Sequence, residues 1–214
     1  MHAGEPLIRP EESRDADAIR RLHLAAFGEH GHVVNAIVED LRPTIPERGG
    51  SAFVAEVGAG SGAGASAGSA VRAGTRAGTR AGTRAGDDRE VVGHVLVSSS
   101  LLDTARRLVD APVLSPLAVA PTRQGAGIGA ALVRRSLAAA EEAGAPFVVL
   151  EGDPGYYSRL GFRPAGDVGF RRPSLRIPEA AFQVFLLPAY EAWMTGTLVY
   201  AWPFWAHDAV GLRE

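Results

Sequence analysis

The chain has 214 residues, 22 Lys plus Arg against 24 Asp plus Glu for a formal net charge of −2, and no cysteine. This length suits one domain with a real hydrophobic core, and the lack of cysteine excludes disulfide scaffolds, thiolate zinc sites and cysteine nucleophiles. The near-neutral charge provides no clustered positive face for nucleic acid, so small-molecule chemistry is favoured.

Two observations predict a cytoplasmic protein that does not bind a membrane. Residues 1–15 lack the basic region and apolar run of a secretory signal. The longest strongly apolar stretch, residues 192–206, contains Pro203. That stretch is also shorter than the roughly 20 residues that span a bilayer.

The first half of the chain predicts two helices and a hairpin. Residues 15–27 and 33–41 place apolar side chains at helical spacing, so each predicts an amphipathic helix. In the first helix, the apolar face consists of Ile19, Leu22, His23 and Ala26. Residues 51–57 and 90–97 are rich in valine and have strand length, which predicts two strands paired as a hairpin.

A low-complexity segment separates these two strands. Residues 58–86 hold nine Gly, nine Ala and four Arg, and repeat RAGT three times. This segment has too little apolar surface to offset the entropy lost on ordering its backbone. We therefore predict a flexible insertion over residues 58–89. A tolerated expansion of a surface turn is favoured over a basic tether for acidic partners, because closure entropy grows slowly with loop length.

The centre of the chain predicts a phosphate site. An apolar strand over residues 113–119, interrupted by Pro116, is followed by Gly125, Gly127 and Gly129 and then by a long helical pattern. Glycines let a ligand approach the backbone, and the unpaired amides at a helix N-terminus favour phosphate oxygens. A pyrophosphate-containing cofactor is the natural inference.

Two cofactor classes fit such a site. Gly125, Gly127 and Ala130 match the dinucleotide fingerprint, and Glu151 follows a predicted strand at residues 147–150, as a nicotinamide-binding oxidoreductase would require. Against this reading, five residues separate Val119 from Gly125, whereas the fingerprint places its first glycine directly after the strand.

Two motifs resemble the GCN5-related N-acetyltransferase (GNAT) superfamily. Residues 123–129, RQGAGIG, are similar to its Q/R-x-x-G-x-G/A signature, with Gln124, Gly127 and Gly129 at the defining positions. A second stretch resembles the family's Tyr-x-x-x-Gly-Phe segment, with Tyr157 at the tyrosine position and Gly161-Phe162 at its end. The spacing of the motifs and the SPLAV strand most resemble the bacterial YhbS-type predicted acetyltransferases, over residues 7–188 without the insertion.

The resemblance implies an α/β (α+β) GNAT fold: a mixed, mostly antiparallel sheet flanked by helices and splayed between its fourth and fifth strands. It implies acetyl-CoA as acyl donor, an amine of a small molecule or peptide as acceptor, direct transfer in a ternary complex, and no metal. The cofactor-binding residues so implied are Leu117, Ala118, Val119, Gln124, Gly125, Ala126, Gly127, Ile128, Gly129 and Ala130. A catalytically silent CoA-binding module is the other alternative.

The resemblance assigns Tyr157 as the general acid, since a phenol stays protonated at neutral pH; simple aromatic packing is the competing interpretation. No base is identified, because residues 113–119 hold no carboxylate. Glu29, His30 and His32 lie between the first two helices, where exposed residues without a catalytic task are expected. Two histidines with no third nearby ligand do not predict a metal site.

The expected organisation is an acetyltransferase domain over residues 6–188 and an aromatic extension over residues 189–214. The extension holds three tryptophans and Phe204, too many aromatic rings to remain in water, so we expect it to pack on its own domain. A lid over the acceptor site or a homodimer contact is the alternative.

Overall fold

A computed structural model describes residues 6–58 and 89–211. Most of the predicted insertion, residues 59–88, lies outside this described part. The strands are β1 (Leu7–Pro10), β2 (Gly50–Gly58), β3 (Arg89–Thr104), β4 (Leu108–Val119), β5 (Phe147–Glu151), β6 (Arg163–Pro164), β7 (Phe170–Arg171), β8 (Phe182–Leu186) and β9 (Gly196–Val199). The α-helices are α1 (Ala16–Phe27), α2 (Gly31–Leu41), α3 (Ile45–Arg48), α4 (Ile128–Glu142), α5 (Pro154–Tyr157) and α6 (Trp202–Ala206).

The strands form one mixed sheet in the order β1-β2-β3-β4-β5-β8-β6, while β9 pairs with both β3 and β7. The pairs β4–β5 and β7–β9 are parallel and the other pairs are antiparallel. This arrangement confirms the mostly antiparallel α/β fold. It differs from the doubly wound parallel sheet of dinucleotide-binding folds, so the dinucleotide interpretation of the glycine motif is wrong.

Two hydrophobic layers cover the sheet, and β5 contributes to both of them. Phe147 and Val149 pack with residues of α2 and the C-terminal segment, while Val148 and Leu150 pack with residues of α4. This alternation follows from the two-residue period of a strand. It also explains the continuous apolar run at residues 147–150, because a strand buried on both faces has no polar side.

A buried polar network crosses the interface between α1 and the sheet. His23 on the apolar face of α1 contacts His94 of β3, with 2.9 Å between Nε2 and Nδ1. His94 Nε2 lies 3.1 Å from Glu11 Oε2, and Glu11 also accepts a hydrogen bond from Arg42 at 2.6 Å. Both imidazoles are fully buried, so the network supplies partners for groups that would be costly to bury alone.

The hairpin prediction for the first two valine-rich runs is confirmed. Strands β2 and β3 are antiparallel, and their last matched pair is Gly58 with Arg89. Replacing residues 59–88 by Asn-Gly would therefore join two facing positions through a tight turn. We expect this variant to keep its thermal stability, acetyl-CoA affinity and turnover; an intact fold with lost turnover would show that the segment is functional.

The C-terminal segment contacts the rest of the fold through strand pairing and side-chain packing. Strand β9 continues the sheet beside β3, with Leu101 opposite Val199. Tyr200 and Phe204 are buried in the same cluster as α2, whereas Trp202 remains 75% exposed. No helix within residues 6–58 and 89–211 has the length and apolar character needed to cross a bilayer.

Candidate functional site

A cleft opens where β4 and β5 separate. These parallel strands share one matched pair, Val113 with Val149. Beyond it, β4 continues to Val119 paired with β3 on its other side. The edge of β4 that faces β5 therefore has backbone groups without a strand partner among the described residues, which lets an extended ligand bind there.

The direction of the β4 amides follows from the hydrogen bond at its end. The N–H of Ala120 donates to the carbonyl of Val92 on β3 at 2.8 Å. Because consecutive amides of a strand point in opposite directions, the N–H of Val119 and that of Leu117 point away from β3, into the cleft. Ala118, between them, is buried opposite His94.

The segment after β4 forms an open cradle. Gln124 donates a hydrogen bond from Nε2 to the carbonyl of Val119 at 3.3 Å. Gly125 and Gly127 have φ values of +77° and +81°, and no atom lies within 4 Å of where a Cβ would stand at either position. Only glycine adopts this conformation at no steric cost, and the space in front of both residues is free for a ligand.

The cradle leads directly into the N-terminus of α4. The first helical hydrogen bond runs from the N–H of Ala131 to the carbonyl of Gly127 at 3.0 Å. The amides of Ile128, Gly129 and Ala130 precede it and have no acceptor within the helix. These amides and the helix dipole suit an anion such as a pyrophosphate. The structure thus brings all the predicted cofactor-binding residues into one path, comprising Leu117, Ala118, Val119, Gln124, Gly125, Ala126, Gly127, Ile128, Gly129 and Ala130.

Gly129 has a different steric environment from the two glycines before it. A Cβ at this position would stand 2.6 Å from the Tyr156 hydroxyl. The guanidinium of Arg159 lies over the Tyr156 ring at 5.9 Å. Burial raises the pKa of Tyr156, and the charges of Arg159 and Arg134 oppose that rise. Tyr156 therefore borders the cradle with Arg159 beside its ring, and the glycine motif gave no sign of this contact.

This contact predicts a pair of coupled substitutions. Gly129→Ala should weaken acetyl-CoA binding about tenfold, because the new methyl group displaces Tyr156 and disturbs the first turn of α4. Adding Tyr156→Phe removes the clashing oxygen and should restore most of the affinity. Calorimetric titration of both variants and of Tyr156→Phe alone measures this coupling; additive losses would contradict the contact.

Tyr157 lies on α5, directly after the cleft. The side chain of Asp153 begins this helix by accepting a hydrogen bond from the N–H of Gly155 at 2.8 Å. The Tyr157 ring packs edge-on against Phe162 at 5.7 Å and covers Gly152, where a Cβ would overlap the ring. Its hydroxyl makes no hydrogen bond with the described residues. Burial is the main cause that raises the Tyr157 pKa, so the phenol stays protonated at neutral pH.

A second titratable pair lies at the end of β5. Tyr200 donates a hydrogen bond from its hydroxyl to Glu151 Oε1 at 2.6 Å. Burial raises the pKa of Glu151, and this hydrogen bond and the charge of Arg176 oppose that rise. The sequence drew attention to Glu151 only as the acid of a dinucleotide motif, and gave no indication of Tyr200.

Glu29, His30 and His32 are exposed. Among the described residues, no three His, Asp or Glu side chains are grouped so that they could hold a metal ion. A cavity of about 440 Å³ lies at the C-terminal end of α4, beside Ser98 and Gly144, and contains none of the predicted cofactor-binding residues.

Comparison with known proteins identifies the family. Residues 83–164, a range that includes β3 to β6, match the family described as "Acetyltransferase (GNAT) domain". Over these residues the chain is similar to the GNAT superfamily. This match covers both predicted motifs, so the family resemblance deduced from them is confirmed.

Individual relatives agree with this similarity. The chain is 36% identical over 121 residues, or 53% of its length, to "Uncharacterized N-acetyltransferase YjhQ" from Escherichia coli K12. It covers 65% of that relative's length. The crystal structure of YhbS from Escherichia coli in complex with CoA is 27% identical, with a TM-score of 0.69 over 95% of this chain and 96% of that one.

A second structure shows the same similarity along nearly the whole chain. A GNAT family acetyltransferase from Brucella melitensis, in complex with acetyl-CoA, is 28% identical and has a TM-score of 0.62. The similarity covers 95% of this chain and 99% of the Brucella chain. The similarity therefore extends well beyond residues 83–164.

Proposed function

We propose that this chain is an acetyl-CoA-dependent N-acetyltransferase that transfers an acetyl group to the amine of a small molecule or peptide by direct attack in a ternary complex. The observation that carries the proposal is the continuous path from the β4–β5 cleft to the glycine cradle and the N-terminus of α4. Relatives with the same fold bind CoA or acetyl-CoA. The free space at Gly125 and Gly127 fits a pyrophosphate against this backbone.

Within this proposal, each group of the path has one task. The cradle and the first turn of α4 bind the pyrophosphate, and the N–H groups of Leu117 and Val119 bind the pantetheine arm. When the amine attacks the thioester carbonyl, negative charge develops on the oxygen. A preorganised amide such as that of Val119 stabilises this charge, an effect typically worth about 2.7–4 kcal/mol per donor.

Tyr157 supplies the proton for the leaving thiolate. The phenol remains protonated because burial raises its pKa, and its hydroxyl has no competing partner among the described residues. Its ring packs edge-on against Phe162 and lies over Gly152, where the missing Cβ leaves room for it. A positioned acid of this kind typically contributes about 10²- to 10⁴-fold to the rate.

The test is binding followed by turnover. Acetyl-CoA at 100 times its dissociation constant should stabilise the protein by about 2.7 kcal/mol, while NADH should not. CoA release is then measured with primary alkylamines, polyamines, amino acids and short peptides as acceptors. Binding without turnover with any acceptor would favour a silent CoA-binding module, and an absence of binding would overturn the proposal.

A further inference from the structure

Glu151 lies at the innermost point of the cleft. The matched pair Val113–Val149 places Glu151, two residues further along β5, level with Ser115, just where the two strands separate. By strand alternation its side chain is on the same face as Phe147 and Val149, opposite to α4. A pantetheine arm that enters from the cradle would bring its thioester to this point.

The Glu151 carboxylate has one oxygen occupied and one available. Oε1 accepts the hydrogen bond from Tyr200. Oε2 has no hydrogen-bond partner among the described residues, and it is not one of the buried side-chain atoms that lack a partner. The half-buried side chain therefore presents one oxygen to a ligand at the point where an acceptor would meet the thioester.

Tyr200 holds this carboxylate from a distant part of the chain. It follows β9, is almost fully buried, and stacks on Phe204 with 4.9 Å between ring centroids. Trp205 donates a hydrogen bond from Nε1 to the Tyr200 carbonyl at 3.2 Å. The C-terminal segment thus fixes the phenol, and the phenol fixes the orientation of Glu151.

We propose that Glu151 is the general base of the reaction and binds the acceptor as a protonated amine, with Tyr200 as its positioning residue. The inference rests on the proposed function and makes cationic primary amines the preferred acceptors. A carboxylate both attracts an ammonium ion and accepts its proton. Residues 113–119 hold no carboxylate, and the nearby Asp153 begins α5 by accepting a hydrogen bond from the N–H of Gly155.

The proton and bond changes balance. Glu151 Oε2 accepts one proton from the ammonium group, and the neutral amine attacks the thioester carbon to form the C–N bond. The C–S bond breaks, and the thiolate takes a proton from Tyr157, which recovers one from the nitrogen that becomes the amide. Glu151 then releases its proton to water, so the products are the amide, CoA thiol and one proton.

Two amines of different basicity test the role of Glu151. Ethylamine is protonated at neutral pH, whereas hydroxylamine is largely neutral and needs no base before attack. Glu151→Gln should lower kcat/KM about 100-fold with ethylamine and less than about threefold with hydroxylamine, at unchanged acetyl-CoA affinity. Glu179→Gln, at an exposed carboxylate paired with Arg172, is the matched control and should change neither rate.

The pH dependence of kcat/KM tests whether Tyr200 positions Glu151. Burial raises the pKa of Glu151, whereas the hydrogen bond from the neutral Tyr200 hydroxyl and the charge of Arg176 lower it. Tyr200→Phe removes one of them, so the acidic limb of kcat/KM with ethylamine should move up by about half a pH unit or more. Tyr190→Phe is the control, since Tyr190 packs on Phe170 away from Glu151, and should leave the limb unchanged.

The outcomes separate this inference from the proposed function. Equal losses with both amines, or no loss in Glu151→Gln, would overturn the role of Glu151 while acetyl transfer stands. A wild-type enzyme that binds acetyl-CoA but acetylates neither amine would also overturn it. Failure to bind acetyl-CoA would instead overturn the proposed function. An unmoved acidic limb in Tyr200→Phe would remove Tyr200 from the mechanism.

Discussion

Replacing Tyr157 by Phe should lower kcat about 10²- to 10⁴-fold while leaving the affinity for acetyl-CoA nearly unchanged. The substitution keeps the ring that packs on Phe162 and covers Gly152. It removes only the hydroxyl, which has no partner among the described residues. Steady-state CoA release at saturating amine measures kcat, and calorimetric titration measures the dissociation constant.

The neighbouring tyrosine distinguishes acid catalysis from local packing. Tyr156 faces the first turn of α4, so Tyr156→Phe should affect KM for acetyl-CoA more than kcat. Because the pKa of Tyr157 is raised, wild-type kcat should show no limb from this phenol between pH 6 and 9. Wild-type turnover by Tyr157→Phe across that range would leave Tyr157 as a packing residue.

Local patterns were sufficient to predict the elements that form the cleft. The valine-rich runs predicted β2 and β3, the apolar runs at residues 113–119 and 147–150 predicted β4 and β5, and the alternating glycines predicted the start of α4. Each of these signals depends on a short stretch of chain, because side-chain periodicity and turn chemistry are local properties. The mixed, mostly antiparallel sheet and the separation of its fourth and fifth strands came from the family resemblance instead.

Contacts between distant residues were not predictable in the same way. His23 and His94 are 71 positions apart, and Glu151 and Tyr200 are 49 apart. Helical spacing placed His23 on an apolar face, but no pattern names the partner that a buried polar group will find. The tryptophans and Phe204 of the C-terminal segment likewise indicated burial, but they did not indicate that the neighbouring Tyr200 contacts Glu151.

The glycine motif predicted where the glycines lie but not the different reason for each of them. It located three glycines at the start of α4 and implied one reason for all of them, the close approach of a cofactor. The structure gives them different reasons. Gly125 and Gly127 have positive φ and open space around them, whereas a side chain at Gly129 would clash with the Tyr156 hydroxyl. A substitution at Gly129 therefore tests a protein contact, and only the first two positions test the cradle directly.

Replacing Gly127 by Val should raise the dissociation constant for acetyl-CoA at least about 100-fold, because the new side chain occupies the cradle where glycine lets the pyrophosphate approach the backbone. Gly144→Val is the matched control, because Gly144 has φ +74° and equally open space, but lies at the other end of α4. Both variants carry similar backbone strain, which costs of order 1–3 kcal/mol, so both should lose similar thermal stability. Only Gly127→Val should lose affinity in calorimetric titration; equal affinities in the two variants would show that the pyrophosphate binds elsewhere.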